Sequence, residues 1–148
     1  MLDKIKDVLN EIKWFIQRGK RGWADCDAWG YFAYNARVNY EALKWLHVHK
    51  HGTPCNMFEI NEPRNPTPEE ETKAVVKWES ILNDMIFAFD QINQCEDNVI
   101  YWHEGRNDRD WEDFSCKYPD TKLQTKEEHD RMLKGMHLFI KHYWSLWD

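Results

Sequence analysis

Twice in this chain a threonine stands three residues ahead of a glutamate at the head of an apolar stripe with helical spacing. Thr67-Pro68-Glu69-Glu70 opens one stripe and Thr125-Lys126-Glu127-Glu128 opens the other. In such a capping box the threonine hydroxyl accepts from a backbone N–H of the first turn while the glutamate reaches back to the threonine N–H, so two orphan donors are satisfied at once. Pro68 fits the first helical position, where its missing N–H costs nothing. Behind the first box Val75, Trp78, Leu82, Met85, Phe89 and Ile92 recur at helical spacing and predict a helix ending near Cys95. At roughly 1.5 Å per residue it would span about 40 Å. Behind the second box Met132, Met136, Phe139, Ile140 and Tyr143 predict a last helix reaching Trp147.

Two further helices are expected upstream. Leu2, Ile5, Leu9, Ile12 and Ile16, widened by Val8 and Phe15, trace an amphipathic helix over about 2–18, punctuated by Gly19 and Gly22 and followed by the basic residues Arg18, Lys20 and Arg21. The next begins near Asp25 or Asp27, either of which can cap it, and its stripe runs Trp29, Phe32, Ala36, Tyr40, Leu43 and His47 until Gly52 and Pro54 stop it. Tyr31, Tyr34 and Trp45 lie off that stripe, so this helix is aromatic on more than one face. Residues 52–66, with Pro54, Pro63 and Pro66, read as a loop. Residues 96–124 lose the helical period and carry Glu96, Asp97, Glu104, Asp108, Asp110, Glu112 and Asp113. That span is too long for an ordinary bundle connection of roughly two to eight residues, so an insertion, a lid or short helices are expected there. The reading is all-α: one domain over 1–148, a four-helix-bundle-like fold with an acidic irregular insertion before the last helix.

A chain of 148 residues is long enough to build one core without disulfides or a structural metal. Its aromatic content of 15%, with nine Trp, exceeds what a core of this size requires, so some rings are expected at a contact surface. A net charge of -6 disfavours duplex nucleic acid and anionic membranes as partners. No apolar run is long enough to span a membrane, and the N-terminal residues lack the apolar core of a signal peptide. Cys26, Cys55, Cys95 and Cys116 are scattered without a C-x-x-C pair. A reducing cytoplasm with free thiols is the expected setting.

Several chemistry-bearing constellations have an ordinary reading beside a functional one. Asp25 and Asp27, between Trp23 and Trp29, cap a helix start with Trp29 in the core, or they bind a divalent metal or a ligand with Trp23 as a stacking platform. His47 and His51 share a helix face at metal-ligand spacing, and they also complement a helix C-terminus; no glutamate completes the zincin signature. His129-Asp130 resembles the dipeptide with which all-helical HD phosphohydrolases hold metal, for which His103 and Asp148 would have to supply the other ligands. Glu79, Asp84 and Asp90 invite comparison with all-helical nucleotide pyrophosphatases. The pairs required there, E-x-x-E and E-x-x-D, are not met, since Glu70 and Glu71 are adjacent and Glu79 and Asp84 are separated by four residues. Neither a glycine-rich phosphate loop nor a serine-hydrolase elbow is present.

The segment Gly22-Trp23-Ala24-Asp25-Cys26-Asp27-Ala28-Trp29, the later Lys50-His51-Gly52-Thr53-Pro54, the helix from Trp78 to Phe89 and the closing run from Leu138 to Asp148 together resemble a family of small bacteriophage-encoded helical proteins with no assigned activity. The resemblance implies an accessory protein acting in the host bacterial cytoplasm, where such proteins bind host factors or immune signalling nucleotides.

The expected function is therefore a non-enzymatic, counter-defence binding protein that sequesters a nucleotide-like signal or masks a host protein. For a nucleotide, Trp23, Trp29 and Tyr34 would stack, Arg18, Lys20, Arg21 and Arg37 would meet phosphates, and Asp25 and Asp27 would accept hydrogen bonds. No cofactor is required by this reading. The alternative from the enzyme class is a nucleotide phosphohydrolase holding Mg or Mn with Asp25, Asp27, Glu79 and Asp84. A third reading is an acidic protein-interaction module, and an aromatic-rich bundle also permits a homo-oligomer.

Overall fold

The computed structural model describes residues 2–59, 65–97, 99–101 and 108–147 and is all-α, with five α-helices and one two-stranded sheet among the described residues. Its contacts divide the chain into two units, 1–35 and 36–148.

In the first unit α1 (Leu2–Arg21) runs past Gly19 and stops at Gly22, whose φ of 80° lies in the left-handed region that glycine enters at no steric cost. The Gly22 N–H closes the last turn on the Arg18 carbonyl at 2.9 Å. The helix expected to start at Asp25 or Asp27 does not start there. Asp25–Ala28 forms a single 3-10 turn, and α2 (Tyr31–His49) begins only after Gly30, whose carbonyl accepts from the Ala33 and Tyr34 N–H groups. The cause lies in Asp27. Its carboxylate accepts from the Ala24 N–H at 2.7 Å and takes both arms of the Arg18 guanidinium, at 2.9 and 2.6 Å, so it is spent on the turn and on α1 instead of on α2. Trp29 and Phe32, expected in the core, are exposed, Trp29 to 96%.

The second unit is organised by α3 (Pro68–Glu96), which packs along α5 (Lys126–Lys141). Both predicted capping boxes are made: Glu70 N–H to Thr67 Oγ1 at 3.3 Å with Thr67 N–H to Glu70 Oε2 at 2.8 Å, and Glu128 N–H to Thr125 Oγ1 at 3.2 Å with Thr125 N–H to Glu128 Oε2 at 2.8 Å. Trp78, Leu82, Met85, Ala88 and Phe89 bury the predicted α3 stripe against Met132 of α5 and Leu43 and Leu46 of α2. Val75 lies off this core, and Ala74 takes the buried position beside it. The close approach of α3 and α5 rests on Gly135. A β-carbon there would come within 2.1 Å of the Asp84 carbonyl oxygen and 2.7 Å of Ala88 Cβ.

Between α3 and α5 the span expected to be an insertion, a lid or short helices holds one short helix, as one of those alternatives had it, and a small sheet that was not expected. β1 (Ile100–Tyr101) pairs parallel with β2 (Lys122–Leu123), with Lys122 N–H on the Val99 carbonyl and Gln124 N–H on that of Tyr101. α4 (Asp108–Lys117) lies between them, its Phe114 ring 4.3 Å from that of Tyr101. The last helix ends at Lys141, short of the predicted Trp147, because Ser145 N–H bonds to the His142 carbonyl and tightens Tyr143–Ser145 into a 3-10 turn.

Candidate functional site

In the first unit the structure brings together six of the residues expected at a ligand site. Around the 3-10 turn, Asp25 is held by Arg21, by Lys13 at 3.0 Å and by Gln17 Nε2 at 2.7 Å, and Asp27 by Arg18. The Arg21 guanidinium lies 3.8 Å from the Trp23 ring centroid, and the Tyr34 hydroxyl donates to the Gly22 carbonyl. Hydrogen bonds from Gln17, Arg21 and Lys13 hold the Asp25 carboxyl well below the ordinary carboxylate range, and the Arg18 hydrogen bonds lower that of Asp27 against the opposing effect of burial. Three of the four cations assigned to phosphates are thus committed to carboxylates: Arg18 to Asp27, Arg21 to Asp25 and Arg37 to Asp97. Arg37 stands in the second unit, 3.2 Å from Asp97. Lys20 lies on α1, beside a shallow concavity of about 500 Å³.

The four carboxylates considered for a divalent ion each have cationic partners of their own. Asp25 and Asp27 are paired as above. Glu79 is bracketed by His47 and Lys50, while Asp84 accepts from Arg131 Nε at 3.0 Å and Lys134 Nζ at 2.6 Å. Burial raises the Glu79 and Asp84 carboxyls, but the hydrogen bonds from Lys50 and His47 to the one and from Lys134 and Arg131 to the other outweigh it, and both stay below their ordinary values. Among the described residues no three His, Cys, Asp or Glu side chains gather in a metal-holding group. His47 turns to Glu79, while the His49 ring stacks on Trp45 with centroids 4.4 Å apart. His129 is buried with its Nδ1 3.1 Å from Gln124 Oε1, and Asp130 accepts from Lys126. His103 and Asp148, needed to extend the His129-Asp130 pair, lie outside the described residues, as do Glu104 and Arg106 of the acidic span.

The feature that sequence reasoning missed is a groove in the second unit. Asn39, Ala42, Leu43, Trp45 and Leu46 of α2 form one wall, and Phe139 of α5 with Tyr143, Leu146 and Trp147 beyond it form the other, enclosing about 460 Å³. Two of its rings, Phe139 and Tyr143, are braced from the core outward, and Trp45 stacks on His49. Phe89 meets Phe139 edge to face at 4.9 Å, Phe139 meets Tyr143 at 5.8 Å, and Tyr143 meets Trp144 at 5.8 Å. Trp45 is 57%, Trp144 88% and Trp147 67% exposed. The available signal was Trp45, off the α2 stripe, together with three aromatic residues in the last six of the chain. No helix is long and apolar enough to cross a membrane among the described residues. No protein-family model, no curated protein and no solved structure matches this chain.

Proposed function

We propose that the chain is a non-enzymatic binding protein that masks a protein partner by seating one of the partner's amphipathic helices in the aromatic groove between α2 and α5. The observation that carries this reading is the groove's composition: large rings held edge to face from the core, presented at the surface, and accompanied by aliphatic walls. Pre-set aromatic anchors of this kind dominate binding energy because little side-chain freedom remains to be lost. The second unit carries 21 acidic against 14 basic side chains, so the complementary helix is basic along the flanks that meet the rim of the groove. In the setting implied by the bacteriophage resemblance, the partner is a host protein in the bacterial cytoplasm and masking it serves counter-defence. Sequestration of a nucleotide-like signal has less support, since Arg18 and Arg21 are held by Asp27 and Asp25. Phosphohydrolysis has less support for the matching reason that the acids are held by cations.

The test is site-specific photo-crosslinking in host-cell extract from Trp147, with the exposed Glu41 on α2 as the control position. One protein joined from Trp147 and not from Glu41, through a basic amphipathic peptide and with the complex rebuilt from purified components, is the expected result. Equal labelling from both positions would overturn the groove assignment.

A further inference from the structure

The face that the first unit leaves open is a different surface, on α1. Ile5, Val8, Leu9, Ile12, Phe15 and Ile16 point along one side of that helix and are 48% (Ile16) to 78% (Phe15) exposed. The opposite side is used: Lys13, Gln17, Arg18 and Arg21 hold the 3-10 turn through Asp25 and Asp27. The shallow concavity on the open side is lined by α1 residues alone, so it has one wall. Six large apolar side chains exposed in a row amount to several hundred Å², approaching the roughly 800 Å² per partner that a standard interface buries.

We infer that α1 pairs antiparallel with α1 of a second copy of this chain. Three observations select this occupant. Leu2, Ile5, Leu9, Ile12 and Ile16 follow a strict three-four alternation, the register by which one helix seats knobs in another and which a structureless surface would not require. Second, the six cations of the first unit face five acids, Asp3, Asp7, Glu11, Asp25 and Asp27, so two copies repel weakly and an anionic lipid surface gains little. Third, the stripe has unlike edges, with Val8 and Phe15 on one and Lys6, Lys13 and Lys20 on the other. Antiparallel pairing about a two-fold axis sets like edge against like edge, so Val8 and Phe15 close on their counterparts; parallel pairing would face them with lysines. On the basic edge the same pairing sets Lys6, Lys13 and Lys20 against their counterparts, a repulsion that Asp25 beside Lys13 offsets in part. The opposed helix dipoles also compensate each other.

Sedimentation equilibrium of the full chain, repeated at low and high salt, tests this pairing. Wild type is expected to be a dimer at micromolar concentration with little salt dependence. Ile12→Lys is expected to weaken association by roughly a hundredfold or more, since each dimer loses two buried isoleucines, while Ile12→Leu restores it. Ile12 is exposed in the isolated unit, so helical circular dichroism and the thermal transition should be retained and would expose a folding defect. A wild-type monomer throughout, or a dimer indifferent to Ile12→Lys, would overturn the pairing. Salt-sensitive co-sedimentation with phosphatidylglycerol vesicles, lost in Ile12→Lys, would overturn it in favour of a lipid surface.

Discussion

Asp84 is one of the side chains through which the second unit responds to acid. It is buried on α3 between Arg131 and Lys134 of α5, and those cations hold its carboxyl below the ordinary value in spite of burial. A carboxyl depressed on folding contributes stability that is fully present above the unfolded pKa, near pH 4, and is lost as pH falls through the folded value. His142 acts in the same direction: burial, then Lys141 and Lys77, lower its pKa, so its contribution is full above about pH 6.5 and declines as pH falls. Asp84→Asn should therefore cost about 1–2 kcal/mol at neutral pH, with the gap to wild type narrowing below about pH 4. Urea denaturation across pH checks this, and a gap that stays constant would remove Asp84 from the acid response. A second residue-scale prediction concerns Gly135. Alanine is the better helix former by about 1 kcal/mol, yet its methyl would meet the Asp84 carbonyl and Ala88, so Gly135→Ala should destabilise by about 1–3 kcal/mol net of that gain. A raised melting temperature would contradict the close packing of α3 on α5.

At the scale of elements, what was legible in the sequence was what neighbouring residues determine. α3 and α5 start where Thr67 and Thr125 place them, because a capping box is complete within four residues. Thr125→Ala should accordingly cost about 1 kcal/mol in thermal or urea unfolding, and an unchanged stability would mean that the cap does not hold α5. The start of α2 was not legible, because Asp27 is claimed by Arg18, nine residues away on another helix, and local capping rules carry no information about such a competitor. Trp29 and Phe32 also fit the period of a buried stripe and are nevertheless exposed. The two residues of β1 and the two of β2 are too short to show alternation, and twenty residues separate them. The groove was hidden for a third reason: its walls come from α2 and from the end of the chain, nearly a hundred residues apart, and meet only in the folded unit.

For the molecule as a whole, the main finding is how much large apolar side chain stays at the surface: the open face of α1 in the first unit and the rings about the α2–α5 groove in the second. A monomeric protein rarely leaves contiguous apolar surface of this kind uncovered, and its usual meaning is a partner. The two surfaces differ in kind. One is a regular stripe along a single helix, proposed to meet its own copy, and the other is a groove between α2 and the end of the chain, proposed to seat a foreign helix. Each therefore fails separately under mutation. Ile12→Lys should leave groove binding intact, and paired loss of Trp45 and Trp147 should leave self-association intact.

Native mass spectrometry of the chain recovered from bacterial cells producing it shows whether a protein fills the groove. The expected result is a complex containing one additional protein, which Trp45→Ala with Trp147→Ala abolishes while the fold is kept. A chain that carries no protein but releases a nucleotide on denaturation, equally in wild type and in that variant, would contradict it.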